Sequence, residues 1–305
     1  MRIVSLMPGA TETLCLLGLQ SNIHGISHEC DYPTSISEIP RVTRSALTKG
    51  LTSAQINELV TDYAQRGESL YSIDEDRLAA AAPDVILTQD ICNVCAVSSH
   101  DLTSTLRRLG LSPDVVSLSG MDLKGFLEDI RLIGERTSAL EAARTLLNNL
   151  RERVESVTHY TQGRKPRRKI VFLEWLDPPF SAGHWTPHLI ELAGGRELIG
   201  EPNKVSTATT WKQVTDADPE FLVISCCGRS NRQTQVEIEA ELVTEKLLRI
   251  PCVRDGKLYL IDGSAYFNRP GPRLIEGLEV LTRVLHPEFP VTKPPVDDAL
   301  QLKLC

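Results

Sequence analysis

The chain lacks an apolar run long enough to cross a bilayer, since a spanning helix needs about 20 consecutive apolar residues. It also lacks a GxSxG nucleophile elbow, a glycine-rich phosphate loop and an HExxH pair. Serine hydrolase, nucleotide hydrolase and zinc protease chemistry therefore have no motif to rest on. There is no excess of positive charge. Lys and Arg number 33 against 40 Asp and Glu, a net charge of −7, which argues against a nucleic-acid surface. The opening MRIVSLMPGATETL passes straight into a strand pattern, without the basic and apolar segments of a secretory leader. An intracellular, cytoplasmic protein is expected, and its eight cysteines then read as thiols.

Aromatics are scarce at 5%, so their clustering carries information. Glu174–Pro187, EWLDPPFSAGHWTP, holds Trp175 and Trp185, two of the three tryptophans, with Phe180 between them. KIVFL before it, residues 169–173, reads as a buried parallel strand, and His188–Ala193 after it as a helix closed by Gly194-Gly195. The segment is expected to be a stiff loop leaving the carboxyl end of a strand, where open α/β sheets bind ligands. A core plug is the plainer reading. The ligand wall is favoured because prolines fix the loop and Ser181, Ala182 and Gly183 leave a surface that a ligand can approach.

The rest alternates strand and helix. Strand patterns cover 2–6, 23–26, 85–88, 115–118, 221–225 and 258–261, with helical spacing between them, including 236–248 and a closing helix at 272–285. This βαβα order predicts two Rossmann-like α/β lobes with mostly parallel sheets. After Thr137-Ser138, Leu140 to Val157 keep helical spacing over about 20 residues, roughly 30 Å at the usual rise. The expected layout is an N-terminal lobe over 1–120, a linking helical segment over 121–163 with one long rigid helix, a C-terminal lobe over 164–289, and an extended tail over 290–305. A ligand cleft between the lobes follows, lined by strand-end loops.

SLMPGATE at 5–12, GISHECDYP at 25–33, APDVILTQD at 82–90, PPFSAG at 178–183 and SAYFNRPGPR at 264–273 resemble the cobalamin-binding branch of the substrate-binding proteins of ABC importers, the BtuF-like class III fold. The likeness runs in order to about residue 285. It implies non-catalytic binding of a corrinoid between the lobes, with cobalamin as ligand and no catalytic cofactor. It implies ligand contact at Pro8 and Gly9, Phe180 and Tyr266. Glu29 replaces a family tyrosine and Gln89 a family tryptophan. Tyr32, Trp175, His184, Trp185, Phe267 and Arg269 complete the expected ligand-binding set. Docking to an importer is not expected. The family's first docking carboxylate aligns with Asp76, but the second aligns with Lys212, and a lysine facing arginines is repulsive.

Cys92-Asn93-Val94-Cys95 has the spacing of a zinc half-site or redox pair, with no second CxxC to complete four ligands. His184, then His28 and Cys30, are the candidate cobalt ligands. The alternative function is a metal- or tetrapyrrole-handling enzyme or chaperone using cleft Cys and His, or binding of haem or a ferric siderophore.

Overall fold

A computed structural model describes residues 1–48, 50–89, 97–290 and 299–304, the side chains of Glu241 and Leu242 excepted. Cys92 and Cys95 lie outside the described residues. The chain divides into two compact units. The first holds Met1–Leu51, Gln55–Asn149 and Pro270–Pro272, and the second Thr52–Ala54, Leu150–Arg269 and Arg273–Cys305.

The elements up to the dividing helix run β1 (Ile3–Ser5), α1 (Pro8–Leu16), β2 (Ile23–Ile26), β3 (Thr43–Ser45), α2 (Ser53–Arg66), β4 (Tyr71–Ile73), α3 (Glu75–Ala81), β5 (Val85–Gln89), α4 (Ser99–Leu109), β6 (Asp114–Leu118), α5 (Leu123–Arg136) and α6 (Leu140–Thr161). In the first unit a parallel sheet has the order β2-β1-β5-β6, and β3 and β4 form a separate antiparallel pair. Alternation decides which side chains face which layer. Val4 and Ile86 point into a core with Leu78 of α3 and Leu102 and Leu106 of α4. Ser5 points the other way, where its hydroxyl meets that of Thr11 on α1 at 2.8 Å. Helix boundaries follow the local chemistry: Asp74, Ser98 and Asp122 accept from the third residue on as N-caps, and Gly110 ends α4 in the left-handed region.

The rest of the chain runs β7 (Arg168–Leu176), β8 (Pro179–Ser181), α7 (Thr186–Leu192), β9 (Gly195–Glu197), α8 (Trp211–Asp216), β10 (Phe221–Ile224), α9 (Asn231–Ile238), α10 (Glu241–Leu248), α11 (Pro251–Arg254), β11 (Leu258–Ile261), α12 (Arg273–Leu285) and β12 (Ala299–Leu302). The sheet of the second unit has the order β12-β11-β10-β7-β8, and β9 also pairs with β7. β7, β9, β10 and β11 are parallel, while β8 and β12 are antiparallel to their neighbours. Val171, Leu173, Leu222, Ile224, Leu258 and Leu260 face one core with Ile238, Leu247 and Ile250. On the other face Phe172 meets Phe267 edge to face, with centroids 4.9 Å apart.

Three expectations are corrected. The stretch after KIVFL is not a loop: β7 continues through a bulge at Glu174 to Leu176, and β8 returns beside it with Pro178 in the turn. The helix expected over 236–248 is two helices, α9 and α10, with Ala240 extended between them. The tail expected to be an extended arm ends in β12, where Leu302 packs into the core.

Candidate functional site

In each parallel sheet the loops at the strands' carboxyl ends gather on one edge. In the second unit that edge carries Trp175 and Phe180, which face each other across the β7–β8 ladder. Both are half-buried. Trp175 is held on two sides: its indole N–H donates to the Ser53 carbonyl at 3.2 Å, and the Arg229 guanidinium lies 5.3 Å from its ring centroid. Phe180 is steadied from the other side by residues 207–209. Ser181 N–H donates to the Thr207 carbonyl at 2.9 Å and Thr209 N–H to the Pro179 carbonyl at 2.7 Å.

The pairing register slips between Leu173 and Trp175, leaving Glu174 as the extra residue, and such bulges re-aim side chains. The Glu174 carboxylate accepts the Gly183 N–H at 3.1 Å and the Ser206 hydroxyl. Burial outweighs these bonds and pushes its pKa up to about 6. Glu197 shows the same balance where β9 ends. It accepts N–H groups from Phe172, Ile199 and Gly200, each at 3.1 Å, yet burial lifts it to about 7. Neither carboxylate belonged to the sequence-based set, although Glu174 inside the apolar run VFLEWL is a visible signal, since a strand interior charge needs partners.

Most of the other residues predicted for this unit are enclosed. Trp185 is 6% exposed and donates its indole N–H to the Phe267 carbonyl at 2.7 Å. Phe267 is 1% exposed, and Tyr266 and Arg269 are buried. Trp185 and Phe267 are core residues, a correction of the ligand-facing expectation. His184 has a left-handed backbone at φ 54° and is pinned by Asn203 and Lys204. Because β8 is antiparallel, Ser181 already stands opposite Leu173. The chain therefore carries His184 away from the carboxyl end, so it does not join Trp175 and Phe180. Its imidazole lies beside Trp185, and burial lowers its pKa.

In the first unit Pro8 is the first residue of α1, a position its fixed φ favours. A Cβ on Gly9 would lie 1.9 Å from the Pro270 carbonyl oxygen. After β2, His28 packs against Tyr71 at 5.1 Å and its Nδ1 is 2.7 Å from the Thr43 hydroxyl. Its Nε2 is 3.4 Å from the Glu29 carboxylate. Burial lowers the His28 pKa against the opposing pull of Glu29. Cys30 is enclosed at 1% exposure, its sulfur 3.1 Å from the Thr11 and 3.3 Å from the Ser27 hydroxyl, which corrects its assignment as an open metal ligand. Tyr32 is exposed. Gln89 is the half-buried last residue of β5, opposite Leu118. Among the described residues no group of three or more His, Cys, Asp or Glu is placed to hold a metal ion. No helix among them is long and apolar enough to cross a membrane.

The docking argument from charge also changes. Asp76 is an exposed first-turn residue of α3. Lys212 lies 2.5 Å from Asp216 one helical turn on. Its charge is locally matched, and the repulsion expected of it loses its basis.

The periplasmic binding protein family model matches residues 3–265. An uncharacterized ABC transporter substrate-binding lipoprotein of Bacillus subtilis, YvrC, is 23% identical over 300 residues, covering 94% of this chain and 80% of the relative. The vitamin B12-binding protein of Vibrio cholerae serotype O1 is 20% identical over 281 residues, 91% of this chain and 86% of the relative. Among solved structures, a periplasmic heme binding protein from Pseudomonas aeruginosa superposes with a TM-score of 0.73 at 17% identity, covering 96% of this chain and 95% of that one. Two compact units built on largely parallel sheets and a family-model match over most of the length agree: the chain belongs to the periplasmic binding protein family.

Proposed function

We propose that this protein is a non-catalytic binder of a corrinoid. The observation that carries the reading is the Trp175–Phe180 pair, two half-buried aromatics in register at the carboxyl edge of the second unit's sheet. Such a pair suits a broad, largely apolar face. The relative named as a vitamin B12-binding protein supports the same choice.

Charge favours a corrinoid over haem. In the first unit the loops at 27–33 and 119–122 contain Glu29, Asp31 and Asp122 and no Lys or Arg. In the second unit the loops hold Asp177 and Asp262, while Arg229 is committed to Glu237 and Arg269 is buried. Loops of this sign repel the two propionates of haem and tolerate the neutral amides of a corrinoid. Of the candidate cobalt ligands, His28 lies at the carboxyl edge of its sheet and His184 does not. Thr43 holds the His28 Nδ1 and its Nε2 is enclosed beside Glu29, so the ring has to swing out of this seat to reach an exchangeable cobalt position, and that is the role we assign to it. A cytoplasmic, reducing location belongs to the same proposal. Cys15, Cys30, Cys226, Cys227 and Cys252, all outside disulfides, support it.

A visible-absorption and calorimetric titration with aquocobalamin, hemin and a ferric hydroxamate tests the ligand. One aquocobalamin per chain is expected, with a spectral shift lost in His28→Ala. Binding of hemin or the hydroxamate with no corrinoid bound would refute the reading. Fractionation tests the location, and recovery of the native protein outside the cytoplasmic membrane would remove that part.

A further inference from the structure

Two nearly buried charges stand behind the aromatic pair. Arg229 follows β10 and Glu237 lies on α9; their side chains are 12% and 10% exposed, and Nη1 is 3.1 Å from Oε2. The other carboxylate oxygen of Glu237 accepts the Ser53 N–H at 2.8 Å. The Ser53 carbonyl in turn accepts the indole N–H of Trp175 at 3.2 Å, and the Arg229 guanidinium covers the Trp175 ring. The four residues, all in the second unit, therefore form a closed circuit. It grips Trp175 by its edge and by one face.

The backbone of Arg229 is fixed as well. Its N–H donates to the Cys226 carbonyl at 3.1 Å, and its own carbonyl accepts from Gly263 and Ser264 at 3.0 and 3.2 Å. The main chain that carries the guanidinium is thus tied to the ends of two neighbouring strands. A buried ion pair adds little net stability compared with apolar side chains of the same volume, so stability alone is a poor reason for this one.

We propose that Arg229 and Glu237 are positioning residues: they set the tilt of the Trp175 ring and, across the β7–β8 ladder, that of Phe180, and so shape the ligand wall from behind. The ligand half of this rests on the proposed function; the positioning half does not.

The test uses the full chain carrying 5-fluorotryptophan. Its three fluorine resonances are assigned by Trp175→Phe and Trp211→Phe. In the Arg229→Met, Glu237→Leu double variant, which removes both charges together, the Trp175 resonance is expected to move or broaden while the Trp185 resonance holds. Affinity for aquocobalamin should fall about three- to tenfold, the size of a partly desolvated cation–π contact. Arg229→Lys should restore part of both. Glu237→Gln, which keeps an acceptor for the Ser53 N–H, carries the same test if the double variant does not fold. An unmoved Trp175 resonance overturns the proposal, as does a moved resonance with unchanged affinity. If the wild type takes no corrinoid, the functional reading falls instead, and the resonance still decides whether the pair positions Trp175.

Discussion

Gly9 and Pro270 meet backbone to backbone: a Cβ at Gly9 would sit 1.9 Å from the Pro270 carbonyl oxygen and 2.5 Å from its carbonyl carbon. Neither atom is the end of a flexible side chain, so the main chain itself would have to move. Gly9→Ala is expected to destabilise the protein by about 1–3 kcal/mol, the usual cost of overpacking. A thermal melt checks it, and an unchanged Tm would show that the approach is looser than described.

Phe180 and Trp185 should separate binding from folding. Phe180→Ala removes a half-buried ring at the sheet edge, worth about 1.5–3 kcal/mol against an apolar ligand, or roughly ten- to a hundredfold in affinity, with little loss of stability. Trp185→Ala empties a core position and orphans the Phe267 carbonyl, for which about 3–5 kcal/mol of stability is expected. Calorimetry and denaturant unfolding on both variants read the two effects. Equal binding losses with equal stability would contradict the division.

The pH dependence of stability has a defined sign at Glu174. Its folded pKa, about 6, is above its ordinary 4.5. The folded state therefore holds a proton more tightly between these values. The stabilisation is complete below about 4.5 and is lost as pH rises through 6. His24, His28, His184 and His286, whose pKa values burial lowers, act in the opposite direction. Comparison with Glu174→Gln isolates the carboxyl. The Tm of the variant relative to wild type should be higher at pH 8 than at pH 5. A difference independent of pH would show that Glu174 titrates normally.

Adjacent thiols should differ sharply in reactivity. Cys226 is fully buried and its pKa is pushed up to about 12 by burial, while Cys227 is exposed. Thiolate is the reactive form. With iodoacetamide at pH 8, peptide mass spectrometry should find Cys227 modified well before Cys15, Cys30, Cys226 or Cys252. Equal labelling of Cys226 would mean that the β10 end opens readily.

The alternation of apolar strands and periodic helices made the first unit's sheet and most helices legible. The Gly194-Gly195 pair marked the close of a helix, and α7 stops just before it with Gly194 in the left-handed region. The hairpin was hidden because prolines at 178 and 179 read as loop punctuation, whereas Pro179 occupies an edge strand, where a missing N–H costs little. Aromatic clustering pointed to the right segment and failed to tell Trp175 from Trp185. Ten residues apart in sequence, one ends on the sheet edge and the other under the Phe267 loop, and only the return of β8 decides which. The Arg229–Glu237 pair left no sequence signal, because a buried ion pair and two surface charges are written alike.

β7 serves two short strands along a single edge, β9 beside Arg168–Ile170 and β8 beside Leu173–Leu176. At the seam the Glu197 carboxylate, rather than a backbone carbonyl, takes the N–H of Phe172. The KIVFL core of this strand is the kind of sequence that templates cross-β aggregation when an edge is left open. With the Ala182 N–H on the Phe172 carbonyl and the Glu197 carboxylate on its N–H, neither backbone group of that residue at the seam is left open to another strand.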